Sequence, residues 1–102
     1  MSNHGKRKGT RAELKCIRIL ESAGYCCTKA GGSLGVFDVI ALGPRDVRAI
    51  QVKAGTARLS PLEREQMQGT EVPPNCTREY WHFADYARKP EIQIIAGDGE
   101  RP

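Results

Sequence analysis

The stretch Gly35-Val36-Phe37-Asp38-Val39-Ile40-Ala41-Leu42-Gly43-Pro44-Arg45-Asp46-Val47-Arg48-Ala49-Ile50-Gln51-Val52-Lys53-Ala54 decides the fold. Two apolar runs flank the turn sequence Gly43-Pro44-Arg45-Asp46, which predicts a hairpin with strands over Val36 to Leu42 and Val47 to Ala54. With Pro44 and Arg45 as the loop residues, the register sets Asp38 opposite Gln51, their Cβ atoms about 5 Å apart. Lys53 lies two residues beyond Gln51 and so shares its face, whereas Ile50 and Val52 point to the other. A slip of one residue breaks the facing but keeps the Gln51/Lys53 alternation.

An Asp, a Gln and a Lys thus converge at one end of two otherwise apolar strands. Two readings account for this. One is an Asp38–Lys53 ion pair at a sheet edge with Gln51 as a filler. The other is a metal site for phosphodiester hydrolysis, since carboxylate and amide oxygens are hard ligands suited to Mg²⁺ or Mn²⁺. In that case Lys53 holds and polarises the attacking water, or stabilises the charge that develops on phosphorus.

Upstream, Thr10 to Ala23 reads as a helix that stops at Gly24. At about 100° per residue, Cys16, Ile17 and Leu20 share a side with Glu13, while Arg11, Lys15, Arg18 and Ser22 lie opposite. Glu13 therefore falls within the apolar stripe, where a carboxylate needs a cation, a metal or donors. Alternatively, Thr10-Arg11-Ala12-Glu13 fits a capping box, with Glu13 reaching back to the backbone. Tyr25 to Lys29 reads as a short strand, and Gly31-Gly32-Ser33-Leu34-Gly35 as a loop.

Downstream, Ser60-Pro61-Leu62-Glu63 opens a second helix running to about Gln68, with Ser60 as cap, Pro61 in the first turn and Glu63 closing a capping box. Glu79 to Ala84 and Glu91 to Ile95 are the last two strands. The order is helix, three strands, helix, two strands. Tyr80-Trp81-His82-Phe83 offers a base-stacking platform, but its period-2 alternation favours a strand packed on the core. Arg58, Arg64, Arg78 and Arg88 are candidates for a phosphate-tracking surface.

The whole chain has 102 residues, of which 39% are hydrophobic and 27% charged, enough for one small domain with a single core. The expected organisation is a mobile basic arm over 1–9, one domain over 10–97 and a frayed tail over 98–102. No apolar run approaches the ~20 residues of a membrane span, and the N-terminus has no apolar signal region. A cytoplasmic protein without membrane contact is expected. The net charge of +4 is unevenly placed, with Lys6, Arg7, Lys8, Arg11, Lys15 and Arg18 near the N-terminus against the acid Glu13. Such a segment is either a solvated arm or a contact for a polyanion, most simply nucleic acid. Cys16, Cys26, Cys27 and Cys76 lack zinc-ligand spacing and read as buried, reduced thiols.

Taken in order, Glu13, the Gly35 to Ala41 strand with Asp38, and Ile50-Gln51-Val52-Lys53 resemble the PD-(D/E)xK nuclease superfamily. The likeness is to the small archaeal-type Holliday junction resolvases and related phage proteins, and it extends over Lys8 to Ala54. It implies an α/β, restriction-endonuclease-like fold with a mixed central sheet flanked by helices. It further implies a Mg²⁺-dependent DNA endonuclease, with Mn²⁺ as a substitute, acting as a homodimer on double-stranded or branched DNA. By the same resemblance Asp38 is the central metal ligand, Gln51, the Val52 carbonyl and Glu13 complete the shell, and Lys53 is the catalytic lysine. Ser33 matches a loop position near the substrate phosphate, and Lys6, Arg7, Lys8 and Arg11 are expected to contact DNA.

Two departures stand out. Val36-Phe37 occupies the place of the proline in the superfamily pattern, a position that varies widely. Gln51 replaces the usual Glu, as in the end-cleaving subunit of a bacterial transposase, and brings no negative charge. On charge alone, Gln51→Glu is expected to tighten Mn²⁺ binding. The same departure supports two alternatives: a catalytically inactive DNA-binding module, or a nuclease subunit of a larger complex.

Overall fold

A computed structural model of the protein describes residues 4–30 and 35–98, with side chains from residue 9 onward. Among these residues seven elements follow in the expected order: α1 (His4–Ser22), β1 (Cys26–Lys29), β2 (Val39–Leu42), β3 (Val47–Ala54), α2 (Pro61–Gly69), β4 (Cys76–Phe83) and β5 (Glu91–Ile95). The strands form one sheet in the order β1-β2-β3-β4-β5. β1, β2 and β3 run antiparallel as a meander, β3 and β4 are parallel, and β5 returns antiparallel along β4. A parallel neighbour needs a crossover, and α2 lies within the connection that makes it.

α1 lies across β1, β2 and β3 on one face. Its apolar stripe, Ala12, Cys16 and Leu20, packs with Val39, Ala41, Ile50, Val52, Trp81 and Phe83. The other face carries a smaller core of Phe37, Ala49, Met67 and Ile95, with Met67 supplied by α2. The sheet is thus covered by one helix on each side, the α/β restriction-endonuclease-like arrangement expected. Gly24 ends α1 as predicted: at φ +94° it lets the Tyr25 N–H return to the Leu20 carbonyl.

Three boundaries differ from expectation. α1 begins at His4 rather than Thr10, so the backbone of Lys6, Arg7 and Lys8 is helical. This added stretch carries no apolar period, and propagation from a nucleated helix extends it regardless. β2 begins at Val39 rather than Val36, because Gly35 and Val36 form a turn. β4 begins at Cys76 rather than Glu79, extended by parallel pairing of Val47 to Cys76. The side chains of Lys6, Arg7 and Lys8, together with Ser33 and residues 99–102, lie outside the described residues.

Candidate functional site

Asp38 stands just ahead of β2, where its backbone bridges two neighbours. Its N–H donates to the Ile50 carbonyl at 2.8 Å, and its own carbonyl accepts the Ala30 N–H at 2.8 Å. The β2–β3 register is the one predicted, with Val39 paired to Ile50 and Leu42 to Val47. At Asp38 the ladder changes character: the Val52 N–H donates to the Asp38 carboxylate, Oδ2 at 2.9 Å, instead of to a backbone carbonyl. In an extended strand N–H and C=O of one residue point to the same edge, so the Val52 carbonyl leaves β3 on the side from which Asp38 approaches.

On the face toward α2, Gln51 and Lys53 meet a residue that sequence reasoning treated only as a helix cap. Glu63 Oε2 accepts from Lys53 Nζ at 2.8 Å and from Gln51 Nε2 at 2.9 Å. Its other oxygen accepts the Ser60 N–H at 2.9 Å while Ser60 Oγ accepts the Glu63 N–H at 3.0 Å, completing the predicted capping box. The ion pair formed by Lys53 is therefore with Glu63, not with Asp38. Gln51 is 5% exposed, and its Oε1 is buried without a hydrogen-bond partner among the described residues.

Glu13 occupies neither of the two expected environments. Thr10 lies well inside α1 and caps nothing. The buried stripe runs one residue over, through Ala12, Cys16 and Leu20, which leaves Glu13 half-buried at its margin. There it pairs loosely with Lys29, Oε1 to Nζ at 3.8 Å. The Glu13 charge still reaches the site. Burial raises the Asp38 pKa above its usual value, the Val52 N–H lowers it, Glu13 raises it, Lys53 lowers it and Glu63 raises it, with a net upward shift. Glu63 behaves oppositely: burial would raise its pKa, but hydrogen bonds from Lys53 and Ser60 outweigh this and hold it below the ordinary value.

Among the described residues no three His, Cys, Asp or Glu side chains gather closely enough to hold an ion by themselves. The available oxygens are instead of mixed type: the Asp38 carboxylate, the unpartnered Gln51 amide oxygen and the Val52 carbonyl, with Glu13 nearby. A buried, unpartnered amide oxygen on β3 and, ahead of β2, a carboxylate whose ionisation is opposed by burial and by two further acids are donors of the kind a hard divalent cation takes, which would satisfy the one and relieve the other. Arg11 is exposed on α1 and lines a cavity of about 440 Å³ with Lys15, Ala54 and Tyr86.

The period-2 reading of Tyr80 to Phe83 as a strand packed on the core is met, with Trp81, His82 and Phe83 all buried. Trp81 and Phe83 are buried in the core and offer no stacking surface. His82 is buried as well, its Nε2 2.7 Å from the Gly55 carbonyl and in contact with Arg58. Arg78 is buried and clamps the Thr70 carbonyl at 2.7 and 3.0 Å, so it does not belong to a phosphate-tracking surface. Cys16 is buried, which pushes its thiol pKa up to about 12, whereas Cys26 is exposed. No helix among the described residues is long and apolar enough to cross a membrane.

No protein-family model matches the chain, and neither does any curated protein. Among solved structures, the chain is similar to Hjc, a Holliday junction resolvase from the archaeal hyperthermophile Archaeoglobus fulgidus. The two superpose with a TM-score of 0.68 at 24% identity, covering 87% of this chain and 72% of Hjc. At that level of identity the likeness establishes a shared fold, and the protein has the mixed α/β architecture of the Hjc resolvase.

Proposed function

We propose that the protein is a metal-dependent endonuclease that hydrolyses DNA phosphodiester bonds, with branched DNA of the Holliday junction type as substrate and a homodimer as the acting form. The observation that carries this reading is the buried, unpartnered Gln51 Oε1 on the strand that also bears Lys53 and whose Val52 N–H holds the Asp38 carboxylate, in a fold shared with a junction resolvase. Asp38, Gln51, the Val52 carbonyl and Glu13 would hold Mg²⁺ or Mn²⁺. The ion would supply Lewis-acid polarisation of a phosphoryl oxygen and a more acidic water.

The chain's own groups do the rest. Lys53, fixed by Glu63 at 2.8 Å, presents an ammonium that orients the attacking water and offsets negative charge growing on phosphorus. The Val52 N–H holds Asp38 in place. Arg11 and Lys15, exposed on α1, are available to phosphates of the duplex, with the basic segment before them extending the track.

The test is cleavage of labelled four-way, flap and linear DNA with Mg²⁺ or Mn²⁺, with Asp38→Ala and Lys53→Ala beside the wild type. Metal-dependent cutting abolished by both substitutions supports the nuclease, and preference for the four-way substrate supports the resolvase. The neutral Gln51 favours a second reading, a DNA-binding module without catalysis or a subunit completed by another protein. Salt-sensitive binding without cutting in either metal would establish it, and gel filtration with and without DNA separates a self-dimer from an orphan subunit.

A further inference from the structure

We propose that Glu63 is a positioning residue that orients the Gln51 amide, and that positions 51 and 63 form an exchange pair carrying one negative charge between them. The pairing stands on hydrogen-bond geometry; its consequence for metal binding rests on the function proposed above.

A carboxylate only accepts hydrogen bonds, so the atom of Gln51 facing Glu63 must be the amide nitrogen. That contact is 2.9 Å long and leaves Oε1 turned away, buried and without a partner. Glu63 cannot swing aside freely to relax this arrangement. Its Oε1 is tied to the Ser60 N–H, its backbone N–H to Ser60 Oγ, and its Oε2 to Lys53. The strand residue is thereby locked by the first turn of α2, with its amide oxygen presented rather than its nitrogen.

The same contacts make Gln51→Glu costly to the fold. Replacing Gln51 with Glu sets a second acceptor at hydrogen-bond distance from Glu63, with Lys53 from β3 as the cation between them. Asp38, ahead of β2, faces the pair as a further acid, Glu13 of α1 lies beyond it, and Tyr80 of β4 is the register neighbour of Gln51. The single variant sets two acceptors against each other and loses the hydrogen bond that Gln51 Nε2 donates, so it is less stable than wild type. Adding Glu63→Gln regenerates the pattern in mirror form. The new amide at position 63 donates through its nitrogen to the new carboxylate at position 51, while its oxygen accepts the Ser60 N–H. Glutamine suits this capping-box position as well as glutamate does.

The experiment is a four-protein cycle on the full chain: wild type, Gln51→Glu, Glu63→Gln and the double variant. Thermal unfolding is followed in metal-free buffer at pH 8, and Mn²⁺ is titrated calorimetrically. Gln51→Glu is expected to unfold at lower temperature than wild type, while the double variant regains most of the loss. The double variant is also expected to bind Mn²⁺ on the order of tenfold more tightly than wild type, because a fixed carboxylate replaces a fixed amide oxygen. Equal stability of Gln51→Glu and wild type, or strictly additive losses in the double variant, overturns the proposal. A coupled stability cycle with no Mn²⁺ binding in any of the four upholds the exchange pair and rejects the metal site instead.

Discussion

Arg48 and Glu79 show what a settled buried charge looks like in this protein, and so what is unusual about Asp38. Glu79 is 1% exposed and accepts Arg48 Nε at 2.8 Å, Arg48 Nη2 at 2.7 Å and Trp81 Nε1 at 2.8 Å, with the Thr77 hydroxyl as a further donor. The guanidinium lies 5.4 Å from the centroids of both the Tyr25 and Trp81 rings. Burial would raise the Glu79 pKa, but Arg48, Thr77 and Trp81 outweigh it and hold the carboxyl below its ordinary value. A depressed carboxyl contributes stability that is present above the ordinary glutamate pKa and is lost as pH falls through the folded value. Arg48→Ala leaves that charge buried with neutral donors alone, and is expected to cost about 3 kcal/mol at pH 7 by urea denaturation. The loss should shrink toward pH 3, where protonation of Glu79 is favoured once its cation is gone; a constant loss across that range would mean that ring packing, not charge, is what Arg48 contributes.

At the scale of elements, α2 is a nine-residue helix with one buried side chain, Met67, so local devices must fix it. The capping box does so at its start, and Arg78 clamps the carbonyl of Thr70, the C-cap residue, at its end. Ser60→Ala is expected to destabilise the protein by about 1 kcal/mol in thermal or urea unfolding, with Ser60→Asp restoring most of the loss. Failure of Asp to restore it would show that the serine acts other than as a cap. Much of this level was legible in the sequence. The hairpin register followed from one turn and a period of two, and the capping box from Ser60 and Glu63 at their spacing. The bounds of β3 and β5 also matched, because each is flanked by turn-forming residues. The second role of Glu63 was not legible, since its contact with Gln51 and Lys53 depends on how the crossover folds back over the sheet. Glu13 was misjudged for a related reason: a helical wheel gives the direction of a stripe to within a residue, and the sheet decides which flank is covered.

Across the whole molecule, the two helices seal opposite faces of the sheet, and the end of the β2–β3 hairpin gathers charged side chains from four separate segments, Lys53 paired with Glu63 and Glu13 loosely with Lys29. Glu13 comes from α1, Asp38 from the approach to β2, Lys53 from β3 and Glu63 from α2. The Asp38 pKa stands above its usual value, burial being the largest cause, with Glu13 and Glu63 raising it further and the Val52 N–H and Lys53 opposing them. A raised carboxyl favours the protonated folded state, so at neutral pH the ionised Asp38 works against folding. Asp38→Asn removes that charge yet keeps an oxygen able to accept the Val52 N–H. It is therefore expected to unfold at higher denaturant concentration than wild type at pH 7.5, with the difference vanishing as pH falls below about 4, where the unfolded aspartate is also protonated. The same variant should lose Mn²⁺ binding and DNA cleavage. Such a pattern, stability gained where function is lost, is expected of a site that stores unfavourable charge for a cation to relieve. Equal or lower stability of Asp38→Asn at pH 7.5 would mean that Asp38 is there to hold β3, and that its carboxylate serves the fold rather than an ion.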